Sequence, residues 1–340
     1  MKMFLPNGYI NMQDLIDNEY PFLFITGARG TGKTYGGLSH IYDKVKTGDI
    51  HRFLYLRRTQ VEIDAVADET MNPFKKINID RGLNVTVKPI RKNIYGFYDD
   101  DGLIGYAAAL STFRNLRSFD FSDVDVIFYD EFIPEPNARP IKNEATTLLN
   151  IYESVNRNRE LDGEYPVKLV CASNSNEMGN PVYMELGVIS KIERIAGDGG
   201  GTLRDPERGL MIVLLKNSPI SARKRETALY KLSGDTQFSA MALNNEFQDN
   251  DRDAIKSQAL REYKSVPVVT LDGVAIYEHK SRNEYYACQY NGEPQFTTKA
   301  RDIERFNLQY WFLWNRYIDG ELNFQNYLTK RIFLLYNKAR

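Results

Sequence analysis

The sequence predicts an α/β fold: a P-loop ATPase-type domain on a mainly parallel central sheet, a short helical linker, and a C-terminal α+β domain. Three observations carry this expectation. Over residues 1–217, short apolar runs alternate with longer amphipathic stretches, the pattern of βα units around a parallel sheet. One apolar run leads straight into the glycine-rich segment GARGTGKT at 27–34 and then into a helical stretch. Another ends in two adjacent acids, Asp130 and Glu131.

Taken in order, FLFIT (22–26), RFLYL (52–56), VDVIFY (124–129), VKLVCA (167–172) and GLMIVLL (209–215) read as the strands of this sheet. Between the second and third lie NVTVKPI and NIYGFYDDDGLIGYAAAL, whose Asp101-Gly102 is a strong hairpin signal, so an antiparallel insertion is expected at a sheet edge. The glycine cluster GDGGGT (197–202) reads as a surface loop before the last strand. Residues 218–250 are polar and helical, with Arg223, Lys224 and Arg225 in succession, and suit a hinge or lid. Residues 251–340 open with VPVVTLDGVAIYEH and NEYYACQYNGEPQF, read as antiparallel strands, and close with the aromatic helical stretches RFNLQYWFLWNRYI and KRIFLLYNK.

At 340 residues the chain can bury a substantial core, and 42% hydrophobic with 26% charged residues is the composition of a globular protein rather than a disordered one. No apolar run is long enough for a membrane helix, and the N-terminus lacks a signal-peptide pattern, so a cytoplasmic location and no membrane partner are expected. Cys171 and Cys288, with His40, His51 and His279, have neither disulfide-framework nor zinc-site spacing. With 44 Lys and Arg against 45 Asp and Glu, no global positive field points to nucleic acid, and any DNA contact has to come from local loops or from assembly.

Gly27-Ala28-Arg29-Gly30-Thr31-Gly32-Lys33-Thr34 fits GxxxxGK(S/T) at every fixed position and sits between a strand and a helix, as that motif requires. Its glycines let backbone N–H groups close around phosphate oxygens, Lys33 reaches the β- and γ-phosphates, and the Thr34 hydroxyl suits Mg²⁺. The expected ligand is therefore ATP with Mg²⁺. Asp130 would hold the metal through water, and Glu131 would polarise the attacking water, the arrangement of P-loop ATPases that use a catalytic glutamate. No NKxD-type guanine selector is present.

Ser173 and Asn174 end the VKLVCA strand where such ATPases place a polar residue that senses the γ-phosphate, and Arg57 and Arg58 end RFLYL at the same sheet edge. Both pairs also fit ordinary strand-end turns. From Ile141 to Glu160, helical spacing puts Ile141, Ala145, Leu148, Leu149, Tyr152 and Val155 on one core face and delivers Arg157 and Arg159 at the helix end. Two arginines there suit the helix dipole, and a guanidinium is equally what a multimeric ATPase inserts into its neighbour's site.

In this order and spacing, GARGTGKTY, FLYLRRTQVE, VIFYDEFIPE, LLNIYESVNRNRE and CASNSNEMGNPVY resemble the genome-packaging ATPase of small protein-primed podophages, a large-terminase-like motor that drives double-stranded DNA into a preformed capsid. The resemblance spans residues 20 to 185 and is weaker but colinear beyond. It implies an additional-strand, catalytic-glutamate (ASCE) ATPase domain related to the FtsK and HerA translocases. Arg57 falls on the family's arginine that couples phosphate loop to glutamate, Arg157 on its trans-acting finger, and Arg117 near a second basic residue offered across the subunit interface. It further implies a homomeric ring, generally of five subunits, docked on the capsid portal in the host cytoplasm. In some members the ring also docks on a structured phage RNA. The C-terminal domain would resemble an RNase H-like nuclease without its metal-binding acids.

Two departures stand out. Thr59-Gln60 follows the paired arginines where relatives carry a lysine proposed to touch DNA, and Pro134 stands where a basic residue is expected. Arg58, Lys75, Lys76, Arg139 and Lys142 are the substitutes in reach along the chain. The alternatives that the motifs leave open are a DNA segregation or transfer ATPase, a P-loop kinase, and a binding module switched by ATP. Glu131 beside Asp130 weighs against the kinase, which has no water to activate.

Overall fold

A computed structural model describes residues 2–68, 70–116, 119–134, 141–174, 179–215, 218–234, 236, 239, 254–256 and 258–336. The chain divides into two compact units, Met1–Glu185 with Lys191–Gln248, and Leu186–Ser190 with Asp249–Arg340.

In the first unit, nine strands of the described residues form one sheet: β1 (Phe22–Gly27), β2 (Arg52–Arg57), β3 (Thr86–Arg91), β4 (Ile94–Asp99), β5 (Gly102–Ala109), β6 (Val124–Asp130), β7 (Lys168–Ser173), β8 (Gly201–Asp205) and β9 (Leu210–Leu215). Their spatial order is β3-β4-β5-β2-β6-β7-β1-β9-β8. The middle, from β5 through β9, is parallel, and both margins are antiparallel hairpins. All five runs read as sheet strands are present, and their continuous apolarity follows from burial on both faces, as in β9, where every residue is buried. The insertion at the sheet edge is β3-β4-β5, with Gly102 at φ +120° in the turn.

The glycine cluster differs from expectation. Its end is not loop: Gly201–Asp205 forms β8, paired antiparallel with β9 from Gly201↔Leu214 to Asp205↔Leu210. Glycine carries little strand signal, so pairing with an already buried neighbour supplies what local propensity does not.

Five helices of this unit bear on the site: α1 (Met12–Ile16), α2 (Lys33–Thr47), α3 (Gln60–Val66), α4 (Lys75–Arg81) and α5 (Glu144–Asn156). Helix α2 lies against β6 through Gly37, where an added Cβ would stand 2.5 Å from the Phe128 ring. That close approach brings the start of α2 beside the end of β6. Helix α5 is shorter than the expected 141–160 span and turned on its axis. It buries Glu144, Ala145, Thr147, Leu148, Ile151 and Val155, whereas Leu149 is 42% exposed and Tyr152 half-buried. Three polar residues on the buried side, Glu144, Thr147 and Asn156, explain why apolar spacing alone misplaces it. Residues 218–250 contain helices Pro219–Arg225 and Ala228–Ser233, and nearly all of 235–253 lies outside the described residues.

The second unit is α+β. Strands β10 (Val269–Leu271), β11 (Val274–Glu278) and β12 (Tyr285–Gln289) form an antiparallel meander, and β13 (Leu322–Phe324) adds parallel to β12. The turn at Asp272-Gly273 appears as expected, with Gly273 at φ +77°. The three-residue β13 is too short to read from sequence. The aromatic stretch expected as one helix is two, Ala300–Gln309 and Phe312–Ile318, followed by Tyr327–Leu335. Phe296, Phe306, Leu313, Phe324 and Phe333 fill this unit's core. Among the described residues no helix is long and apolar enough to cross a membrane.

Candidate active site

The site lies at the carboxyl ends of β1, β2, β6 and β7, the edge where open α/β sheets receive ligands. The glycine-rich loop leaves β1 and enters α2, with Gly30 at φ +68° and Gly32 at φ +91°, conformations that disfavour a side chain. Lys33, only 5% exposed, curls back over the loop and donates to the carbonyls of Gly27 (2.7 Å) and Ala28 (3.0 Å) and to the Thr31 hydroxyl (3.2 Å). Thr31 in turn donates to Ala28 at 3.1 Å. Burial, opposed by Asp130 and reinforced by repulsion from Lys224, pulls the Lys33 ammonium down to about 7.

The Thr34 hydroxyl donates to Asp130, 3.1 Å from each carboxylate oxygen, and the Tyr55 hydroxyl donates to Asp130 Oδ2 at 3.0 Å. Burial lifts the Asp130 pKa above the ordinary carboxylate value, with Arg57 opposing. A hydroxyl and a buried carboxylate sharing one place beside the phosphate loop are hard oxygen donors, which fits Mg²⁺.

Glu131 directly follows β6 with φ +56°, a left-handed conformation uncommon outside glycine and often found at functional sites. Its carboxylate is held from two sides. Arg57 Nη2 donates to Oε2 at 2.7 Å, and Asn174 Nδ2 to Oε1 at 3.3 Å. The same Arg57 nitrogen reaches Glu62 Oε1 at 2.9 Å, and Nη1 stands 3.6 Å from Asp130 Oδ2. Asn174 thus sits at the site beside the glutamate, at the end of β7. Ser173 is buried in the ladder against Thr26.

Thr59, at the position of the relatives' lysine, caps α3: its hydroxyl accepts from the Glu62 amide while the Glu62 carboxylate accepts from the Thr59 amide, a capping box. This fixes Glu62 under Arg57.

The arginines near the site have diverging roles. Arg58 is no candidate for DNA contact. Its Nε and Nη2 donate to Glu144 at 2.6 and 3.0 Å, and both residues are buried, tying the end of β2 to the first turn of α5. Arg159 is likewise held within its own unit, donating to Asp125 Oδ1 (2.8 Å) and to the carbonyls of Ser122 (2.8 Å) and Val124 (3.0 Å). Arg157, at φ +50° just past α5, has a side chain 54% exposed and pairs with the exposed Asp120 at 2.8 Å. It is not among the groups gathered around the phosphate loop. Lys76 pairs with Asp80 and Lys142 is exposed, while Arg117 and Arg139 lie outside the described residues.

Sequence reading missed four contributors: Tyr55, Glu62, Glu144 and Lys224, whose ammonium donates to the Arg29 carbonyl of the phosphate loop. Only Glu62 carries a local signal, three residues after a Thr cap.

A family model described as podovirus DNA encapsidation protein (Gp16) matches residues 6–277. The DNA packaging protein of Bacillus phage phi29 is 28% identical over 241 residues, which cover 70% of this chain and 66% of that protein. The chain therefore spans just under two thirds of the length of that relative, and the same holds for the DNA packaging protein of Bacillus phage PZA. The corresponding protein of Bacillus phage B103 is 26% identical over 334 residues, 93% of this chain and 97% of that one. Among solved structures, a chain of the bacteriophage Phi-29 viral genome packaging motor assembly matches with a TM-score of 0.69 at 21% identity, over 98% of this chain and 100% of that one. At that identity the likeness bears on the fold.

Proposed function

The chain belongs to the podovirus DNA encapsidation protein (Gp16) family, and from that premise we propose that it hydrolyses ATP to drive double-stranded viral DNA into a preformed capsid. The observation that carries this reading is the convergence of two pairs at one sheet edge: Thr34 with Asp130, and Arg57 with Glu131.

The phosphate loop binds the triphosphate through its backbone N–H groups, and Lys33 turns from its own carbonyls to the phosphate oxygens, which carry full charge and make shorter, stronger bonds. Thr34 and Asp130 would hold the magnesium ion that accompanies the nucleotide, which supplies charge neutralisation at the phosphates. Glu131 orients the attacking water and accepts its proton. Each carboxylate oxygen accepts more than one hydrogen bond, so Arg57 and Asn174 can aim the group without exhausting it. The negative charge that spreads over the transferring phosphoryl group exceeds what Lys33 and the metal neutralise, and Arg157 of an adjacent subunit completes the site in a homomeric ring, on a portal and in the host cytoplasm.

In the second unit, Asp272, Glu278 and Glu284 are each engaged separately, with the Thr298 amide, Lys264 and Arg282, and we assign it no metal-dependent cleavage of DNA. Among the described residues no group of three or more His, Cys, Asp or Glu side chains converges as a metal site.

The test is steady-state ATP hydrolysis with and without double-stranded DNA across a salt series. DNA should stimulate phosphate release, and the stimulation should fall as salt rises, because phosphate contacts release counterions. Absence of phosphate release under all these conditions overturns the reading.

A further inference from the structure

Helix Pro219–Arg225 ends on three consecutive cations, and two of them run to different places. Arg223 Nη1 donates to the carbonyl of Asn7 at 3.3 Å. Lys224 instead crosses to the phosphate loop, where its Nζ donates to the Arg29 carbonyl and stands 2.7 Å from the position a Cβ would take on Gly30. Gly30 therefore does two things. It adopts a left-handed conformation, and by having no side chain it leaves room for an ammonium at the crest of the loop.

The geometry behind this contact is built from both sides. Phe4 and Ile10 pair as an antiparallel bridge, and the Ile10 amide donates to the Thr31 carbonyl at 2.9 Å, so the N-terminal turn is tied to the phosphate loop. Ser218 Oγ donates to the Gly8 carbonyl at 3.2 Å and accepts from the Ile220 amide, so the start of the helix is tied to the same turn. Ile220 and Ser221 are buried. Both the helix and the loop are thus anchored on residues 4–10, and Lys224 does not reach the loop as a free surface side chain would.

Two ammonium groups consequently meet one loop, Lys33 from α2 and Lys224 from the later helix, each resting on backbone carbonyls of that loop. Their mutual repulsion contributes to the lowering of Lys33, and burial lowers Lys224. The loop's own amides add positive potential. Neutral carbonyl oxygens are weak partners for two cations in such a place, and an anionic oxygen makes a bond roughly twice as strong.

We propose that Lys224 is a second phosphate-binding lysine, which exchanges the Arg29 carbonyl for the phosphate chain of the bound nucleotide and so ties helix Pro219–Arg225 to nucleotide occupancy. This rests on the ATP-site reading above. The ligand chemistry is a nucleoside di- or triphosphate, and the segment coupled to it leads toward the second unit along the chain.

The test measures binding of a fluorescent ATP analogue, and of its ADP counterpart, to the full chain with magnesium. It compares wild type with Lys224→Ala, Lys224→Arg and, as a control, Lys231→Ala, whose lysine pairs with Glu226 on the surface. Lys224→Ala should weaken binding about ten-fold or more, the size expected for one hydrogen bond to a charged group. Lys224→Arg should recover most of the loss, Lys231→Ala should match wild type, and nucleotide-free melting temperatures should agree across the set. Wild-type affinity in a folded Lys224→Ala overturns the proposal. So does a loss that Lys224→Arg does not recover, or a fall in nucleotide-free melting temperature that accounts for the loss. Failure of the wild-type chain itself to bind either nucleotide overturns the ATP-site reading and this inference with it.

Discussion

Arg57 and Glu131 meet at 2.7 Å, Nη2 to Oε2, across the ends of two neighbouring parallel strands, β2 and β6. The pair couples the residue expected to orient water to a guanidinium that also reaches Glu62 at 2.9 Å.

Glu131→Gln should therefore bind ATP with near wild-type affinity and lose hydrolysis, and Arg57→Ala should lower kcat by about 10²-fold or more with only a small change in nucleotide affinity. Arg57→Lys should not restore the rate, because one ammonium cannot serve Glu62 and Glu131, as Nη2 does, and also stand beside Asp130, as Nη1 of the planar fork does. Separate measurements of binding and of phosphate release check this. Turnover in Glu131→Gln equal to wild type removes the glutamate from the mechanism.

Arg157 and Arg159, two residues apart, have opposite surroundings: one 54% exposed, the other 14% and bonded to three groups of its own unit. We expect Arg157→Ala and Lys33→Ala chains each to be inactive alone, and their mixture to recover partial hydrolysis where rings form. Supply of an arginine in trans is worth about 10³ to 10⁵ in rate in other P-loop enzymes. Wild-type turnover by assembled Arg157→Ala chains sinks the assignment, and Arg117 becomes the candidate.

Arg58 and Glu144 form a buried pair at 2.6 Å joining β2 to α5. Arg58→Ala, which leaves the Glu144 carboxylate buried without that partner, should cost about 3–5 kcal/mol in denaturant unfolding. Arg58→Met with Glu144→Leu should cost far less than the two single changes together. Equal stability of Arg58→Ala and wild type shows the pair to be dispensable.

Lys168 provides a pH signature. Its ammonium donates to Asn18 O (2.9 Å), Asn18 Oδ1 (3.1 Å) and Tyr20 O (2.5 Å), and burial pulls its pKa from 10.5 down to about 8. Between those values the unfolded chain binds the proton and the folded chain does not, so this residue's contribution to stability rises with pH across the window and levels off below about 8, where both states are protonated. Unfolding of wild type and Lys168→Met at pH 7.5 to 10.5, set by the window above, should show that rise in wild type relative to the variant. Parallel pH profiles contradict it.

Much of this was legible in the chain because it is local. The phosphate loop needs eight consecutive residues with glycines where φ turns positive. The parallel strands announce themselves as unbroken apolar runs because both faces are buried. Asp130 and Glu131 mark the end of one such run by simple adjacency. These features require no knowledge of what lies across the sheet.

The long-range pairings are of another kind. Arg57 stands 74 residues from Glu131, Arg58 lies 86 from Glu144, and Lys224 is 195 from Arg29. Each pair is made by the spatial order β2-β6-β7-β1 or by the anchoring of a late helix on the N-terminal turn, and no periodicity in the sequence encodes either. The same holds for the turn of α5 that exposes Leu149 and buries Glu144. Two adjacent arginines, Arg57 and Arg58, are chemically alike in the sequence. Arg57 closes β2 and Arg58 is the first residue past it, where the chain bends away, so one reached the glutamate of the site and the other a carboxylate in the core.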